Sequence, residues 1–429
     1  LVPIVLFFSC SPSRQIAKSA RQSILKDESL TTAHVGISVY EPATGKYWYN
    51  YQGEHYFVPA SNTKLPTCYA ALKYLGDSLP GLRYLVFNGD LYAQGTGDPT
   101  FLQPEFSRQP VIDFLKKFPN KIFFNVGPWH DNRWGSGWSW NDYSENYMAE
   151  RSPFPIYGNV VRTSGQVKSL QVQPHFFSAY FAKDSSLEQD FFPSSIQREM
   201  NSNHFVIERR TRNVSSVETP FYTEDLSIII KLLSDTLHRE ISGNAYPAVQ
   251  KESVADVLRS QPTDSLLTPM MHRSDNFYAE QALLMVSNEK IGVMNDARII
   301  DTLLKSDLKD LPQRPRWVDG SGLSRYNLFT PKDLVAILDK MQTEFGMQRI
   351  KNILPTGNTG TLTGYYKSDS GFIYAKTGTL SGVVAFSGIM YTAKNRMLIF
   401  SVLVNNHQAS APAIRRAVEK FIEEVRKRN

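Results

Sequence analysis

Apolar positions along this chain follow two spacings, and the changes between them divide it. Residues 34–40 and 46–51 read as strands around the turn Pro42-Ala43-Thr44-Gly45, and residues 383–391 and 396–405 as a second pair around Ala393-Lys394-Asn395. The run Phe372-Ile373-Tyr374-Ala375 adds a fifth strand, so the pattern predicts a five-stranded antiparallel sheet assembled from both chain ends. Helical spacing appears at Cys68, Ala71, Leu72 and Leu75, which fall at i, i+3, i+4 and i+7. It returns at Ile414, Val418, Phe421 and Val425, whose single apolar face is expected to pack across that sheet.

Residues 76–224 carry short β-like runs, many aromatics and few strong helices, and read as an inserted β-rich domain. A helix over 224–240, with Leu226, Ile229, Ile230 and Leu233 on one face, is expected to lead back to the main body. The fold class is therefore α+β, a main body of 11–75 and 225–429 interrupted by an insert of 76–224. Within the insert, Trp129, Trp134, Trp138, Trp140, Tyr143 and Tyr147 are read as packing residues rather than as a platform for a sugar.

A length of 429 residues with 41% hydrophobic content supports two or three domains with ordinary cores. The formal charge of +6 is spread without long basic runs, which suits an anionic envelope and implies no nucleic-acid partner. Residues 1–8 are almost wholly apolar but too short to span a membrane, and they lead to Phe8-Ser9-Cys10-Ser11-Pro12. This looks like the remnant of an export signal, over 1–10, ending in a lipoprotein-type cysteine. Cys10 is the expected lipid anchor, and the expected location is periplasmic, tethered to the outer membrane. Cys68, the other cysteine, lies on an apolar helix face, so no disulfide is expected. The eight histidines show no metal-ligand spacing, and no metal or cofactor is expected.

Candidate chemistry rests on three motifs in order, Ser61-Asn62-Thr63-Lys64, Ser274-Asp275-Asn276 and Lys376-Thr377-Gly378. Together they describe acyl transfer by a serine with no histidine base. A lysine three residues after the serine lies one helical turn away, within reach of its hydroxyl. Lys64 is charged at its ordinary pKa, so burial and a second cation, for which Lys376 is the candidate, must depress it. The pattern S-x-x-K alone is weak, with about one or two chance matches expected in a chain of this length. Ser23-Ile24-Leu25-Lys26 and Ser287-Asn288-Glu289-Lys290 also fit, and Ser144-Glu145-Asn146 is a spare S-x-N. Ser61 is chosen because it follows the apolar run 56–60 and opens a helix, where free N–H groups can meet an oxyanion. Pro66 inside that helix is expected to tighten or kink its first turn. His272 is read as packing rather than as a base, Ser321 as part of a scaffolding loop, and the glycine-rich Gly357-Asn358-Thr359-Gly360-Thr361 as no phosphate cradle.

Pro59 to Lys64, Ser274 to Asn276, the long loop 319–327 and Ala375 to Gly382 together resemble the class C low-molecular-mass penicillin-binding proteins over roughly residues 30–425. These are D-alanyl-D-alanine carboxypeptidases and endopeptidases with the penicillin-recognising serine transpeptidase/β-lactamase-like fold. The resemblance implies a peptidoglycan stem-peptide substrate, β-lactams as slow acylating inhibitors, and catalytic Ser61, Lys64 and Ser274. It implies that Ser274 relays a proton to the leaving amine and that Asn276 holds the substrate backbone and Lys64. Lys376, Thr377 and Thr379 would bind the terminal carboxylate, and backbone N–H groups of Ser61 and Thr379 would form the oxyanion hole. The segment between Leu75 and Gly97-Asp98-Pro99-Thr100 looks shorter than usual for the family, so a strand of the insert is expected to be missing. Two alternatives stand beside this reading, a β-lactamase or esterase on the same fold and a non-catalytic peptidoglycan-binding lipoprotein. Against the first, Ser61 lies 213 residues before Ser274, while Ser274 to Lys376 is only 102. Against the second, every motif residue is intact.

Overall fold

The strand Met397–Asn405 is apolar almost without alternation because both its faces are covered. It lies in the middle of a sheet that holds together a computed structural model described over residues 12–182, 192–193, 195–208, 216–243 and 256–429. From the amino end, α1 (Pro12–Ala20) precedes β1 (His34–Glu41) and β2 (Lys46–Tyr51), and a 3-10 turn (Ala60–Thr63) leads into α2 (Lys64–Tyr74). Then come β3 (Ser78–Phe87), β4 (Asp90–Gln94), α3 (Pro110–Lys117), β5 (Ile122–Asn125), β6 (Val160–Ser164) and β7 (Gln171–Gln173). They are followed by β8 (Ser195–Arg198), β9 (Phe205–Glu208), β10 (Ser216–Pro220), α4 (Leu226–Leu237), β11 (Ser242–Gly243) and β12 (Asp256–Pro262). The helices α5 (Thr263–His272), α6 (Asn276–Ile291), α7 (Asp296–Lys305), α8 (Pro331–Phe345) and α9 (Met347–Ile353) come next. The chain closes with β13 (Ile373–Leu380), β14 (Val383–Tyr391), β15 (Met397–Asn405) and α10 (Ala411–Arg428).

The main sheet has the order β13-β14-β15-β1-β2 and every pairing in it is antiparallel, as the hydrophobic pattern predicts. Alternate residues of its strands serve two cores. Ala385, Ile389, Ile399 and Leu403 face a core built on α2, α5, α6 and α8. Val384, Phe386, Phe400 and Val402 face the other side, where Ile414, Val418, Phe421 and Val425 of α10 and Ile16 of α1 cover them. The helix α2 is buried from Lys64 to Leu72, so a lysine enters the interior with it. Pro66 lies in its first α turn. Lacking an N–H for the Asn62 carbonyl, it leaves the preceding residues to close as a 3-10 turn, with the Lys64 N–H on the Ser61 carbonyl.

The insert forms a second sheet, β11-β5-β4-β3-β12, a third of β10-β6-β7 and a hairpin of β8 and β9. Two strands, β3 and β4, occupy the short stretch where one was expected to be missing. The boundary expected at 224 is corrected. Ile228, Ile229, Leu232, Leu233 and Leu237 of α4 pack with Leu82, Leu91 and Phe124 of the insert, and β12 pairs with β3. The chain therefore leaves the insert at Pro262, where β12 runs straight into α5. Cys10 and the segment 1–10 lie outside the described residues, whereas Cys68 is buried in α2 and burial pushes its thiol pKa up. No described helix is long and apolar enough to cross a membrane.

Candidate active site

Three elements meet at Lys64. Its ammonium donates to the Ser61 hydroxyl (3.0 Å), to Asn276 Oδ1 at the start of α6 (2.6 Å) and to the Ser321 carbonyl in the loop before α8 (2.8 Å). A second lysine, Lys376 on β13, donates to Ser274 Oγ (2.9 Å) and to the Thr377 carbonyl (2.7 Å). All three sequence motifs thus converge on one cleft of about 890 Å³, lined by Ser61, Ser274, Asn276, Thr377 and Thr379. The decoys lie elsewhere. Ser23 is buried against α10, Ser287 is bonded inside α6 to the Val293 and Asn295 carbonyls, and Ser144 accepts from the Arg198 N–H.

Backbone geometry explains how these side chains come together. Ala60, just before Ser61, and Ser274 both take left-handed conformations (φ 46° and 62°) that a side chain adopts only when its surroundings hold it there. Ser274 is followed by Asp275, which caps α6 by accepting from the Tyr278 N–H, so the second motif sits on a fixed corner. Gly378 lets β13 pass the Ser61 turn, because a Cβ there would lie 2.8 Å from the Pro59 carbonyl and 3.0 Å from the Ser61 nitrogen. The outward N–H of Ala375 bonds the Pro355 carbonyl. By strand alternation the N–H groups of Thr377 and Thr379 point to the same free edge, beside the first N–H groups of the 3-10 turn.

Burial is the main cause of the Lys64 pKa, brought down to about 8 against the opposing pull of Asp319, Glu280 and Asp275. Lys376 is pushed far below the usual lysine range, first by burial, then by the charge of Lys64 and of Arg415. The repulsion expected between the two lysines falls on Lys376, whereas three carboxylates oppose the shift of Lys64. Glu280 in turn is raised to about 8 by burial and by Asp319. Burial raises Asp319 as well, but it accepts from the Gly322 and Ser324 N–H groups, Asn327 Nδ2 and Trp138 Nε1, donors that favour its charged form and make it the organiser of the loop.

Other residues of the cleft were not legible in the motifs. Thr361 accepts from Thr377 Oγ1 (2.8 Å), and Arg325 reaches the Ser381 carbonyl (2.8 Å) across the cleft mouth. Arg415 on α10 donates to Thr379 Oγ1 (2.6 Å). The aromatic cluster divides. Trp134 stacks with Arg133 and Trp138 bonds Asp319, as packing requires, but Trp140 is 71% exposed and Tyr147 lines the cleft, its carbonyl accepting from Asn276 Nδ2 (3.0 Å). His272 is half-buried beside Lys376 and its pKa is lowered by burial, which fits packing rather than base chemistry. Among the described residues no cluster of ligating side chains suits a metal.

Known proteins resemble this chain over nearly its whole length. A D-alanyl-D-alanine carboxypeptidase of Actinomadura sp. (strain R39) is 26% identical over 96% of this chain and 86% of its own length. The D-alanyl-D-alanine carboxypeptidase DacB of Haemophilus influenzae is 24% identical over 83% and 82%. Among solved structures, penicillin binding protein 4 of Haemophilus influenzae superimposes with a TM-score of 0.73 at 20% identity, covering 96% of this chain and 99% of that one. The fold is thus that of the penicillin-recognising enzymes, as the motifs implied. With residues 17–425 matching the profile of the D-Ala-D-Ala carboxypeptidase 3 (S13) family, the chain belongs to that family of serine peptidases.

Proposed function

We propose that this protein hydrolyses the terminal D-Ala-D-Ala bond of peptidoglycan stem peptides through an acyl-enzyme on Ser61. The observation that carries the reading is the coordination of Lys64. As an ammonium it spends its three N–H groups on Ser61, Asn276 and Ser321. Once neutral it keeps two donors for Asn276 and Ser321, and its lone pair faces the Ser61 hydroxyl. Ser61 then attacks the carbonyl of the penultimate D-Ala, whose oxygen lies between the N–H groups of Ser61 and Thr379. Losing one such donor costs about 3 kcal/mol of transition-state stabilisation. Ser274, held by Lys376, passes the proton to the leaving amine. Water clears the ester. Asn276, Thr377 and Thr379 hold the substrate on the strand edge.

The cleft extends past Ser61 along Trp138, Tyr147 and Arg325, with room for a second stem. A cross-link presents the same D-Ala carbonyl, so endopeptidase activity is the second reading. β-Lactams acylate Ser61 and leave slowly. The periplasmic face of the outer membrane, reached through a lipid on Cys10, is the proposed location. Incubation with defined muropeptides, resolving free D-Ala from cleaved dimers, tests the activity. A product pattern with neither rejects it. Mass spectrometry of the native protein tests the anchor, which an unacylated amino terminus beyond residue 10 would exclude.

A further inference from the structure

The substrate proposed above ends in a carboxylate, and the lysine of the third motif is already engaged. Lys376 is wholly buried and already donates to Ser274 and to the Thr377 carbonyl. A different cation stands at the cleft wall. Arg415 lies in the first turns of α10, lines the cleft with Ser61, Thr377 and Thr379, and donates Nη2 to the Thr379 hydroxyl at 2.6 Å. Its neighbours on α10 are otherwise engaged. Arg416 pairs with Glu419, Arg426 with Asp369, Lys427 with Glu423 and Arg428 with Glu424. No carboxylate among the described residues lies within ion-pair distance of Arg415. A guanidinium offers five donors, and the bond to Thr379 uses one. What remains is a planar fork matched to a carboxylate, beside the strand edge on which the substrate lies.

We propose that Arg415 is the specificity-determining cation for the carboxylate next to the scissile bond, clamping it with the Thr377 and Thr379 hydroxyls and so restricting the enzyme to leaving amines that carry a free α-carboxylate. This rests on the proposed D-Ala-D-Ala reading. It covers terminal D-Ala, and a cross-link acceptor wherever the released amine carries a carboxylate on the adjacent carbon, as in a diaminopimelate stem.

The test compares each variant on a matched pair, an N-acylated peptidyl-D-Ala-D-Ala and its carboxy-terminal amide. Wild type favours the free acid. Arg415→Gln keeps a donor for Thr379 but no charge, and it lowers kcat/KM for the acid by about 10- to 100-fold, mainly through KM, as expected for losing a hydrogen bond to a charged group. Its kcat/KM for the amide falls by a clearly smaller factor than that for the acid, which separates loss of the clamp from loss of the folded site. Arg415→Lys restores part of the preference. Acid and amide falling by the same factor, or neither changing, overturns the proposal. A parallel arm measures Ser61 acylation by benzylpenicillin and by its methyl ester, and does not depend on peptide hydrolysis. If wild type turns over no peptide yet Arg415→Gln still erases the preference for the free penicillin, the substrate reading fails and the carboxylate clamp stands. Equal loss with the penicillin and its ester overturns the clamp.

Discussion

In the proposed mechanism, Lys64 with three N–H groups and three acceptors is satisfied and inert, and with two N–H groups it is a base aimed at Ser61. Acylation by penicillin should therefore rise with pH and level off above a midpoint near 8 in the free enzyme. The sign of the tuning can be checked at Asp275, one of the carboxylates that hold the proton on Lys64. Asp275→Asn still caps the Tyr278 N–H but removes charge, so the acidic limb of the rate profile should move to lower pH; a limb that stays or moves up contradicts this account. Ser61→Ala should abolish covalent labelling. Ser287→Ala should label normally but melt earlier, because it removes a buried hydroxyl bonded to two carbonyls, at a cost of about 1–3 kcal/mol. At this scale the sequence was readable wherever function is written in short spacings. Serine and lysine one turn apart need only the helix, and the strand after Phe372 places Lys376. Arg415 was not readable. On the amphipathic pattern of α10 it falls beside the apolar face, as any solvated arginine does, and only the folded sheet shows that Thr379 lies opposite it.

Elements meet here at backbone distance. Gly378 approaches the nucleophile turn, and a Cβ on Gly322, at φ 86°, would sit 1.9 Å from the Ala60 carbonyl. Those neighbours are main chain and cannot rotate away. Gly378→Ala should therefore push β13 from Ser61 and cut acylation by about 100-fold, the scale expected for a displacement of about 1 Å at a reacting centre. The loss of melting temperature should be small, since β13 is an edge strand; full acylation by Gly378→Ala would show that the strand has slack. The correction at α4 has the same physical root as the success at α10. Periodicity shows that a helix has an apolar face, and α10 had one obvious sheet to cover. For α4 there were two candidate partners, and the choice between them is made by contacts with Leu82, Leu91 and Phe124 far earlier in the chain.

For the molecule as a whole, the insert is part of the cleft because it is bolted to α6 and α7. Arg151, wholly buried, pairs with Asp131 inside the insert and with Asp296 (2.6 Å) and Glu280 (3.4 Å) in the main body. Gln281 of α6 donates to the Gly97 and Ser152 carbonyls. These bonds hold the Tyr147 carbonyl against Asn276. Arg151→Met would leave Asp131, Asp296 and Glu280 without their shared cation, and a loss of about 3–5 kcal/mol, read from thermal or urea unfolding, is expected. The sheet order has a further consequence, for the time at which the molecule becomes an enzyme. β1 is paired on one side by β2, only a few residues later, but on the other by β15, which is made more than 350 residues later. Until Asn405 has emerged, β1 presents an open edge of eight residues, and the face of the sheet that α10 covers is bare of it. Such long-range closure is slow and leaves the growing chain exposed to misassociation. A ribosome stalled before β15 holds Ser61, Lys64 and the insert, but not the strand that joins β14 to β1.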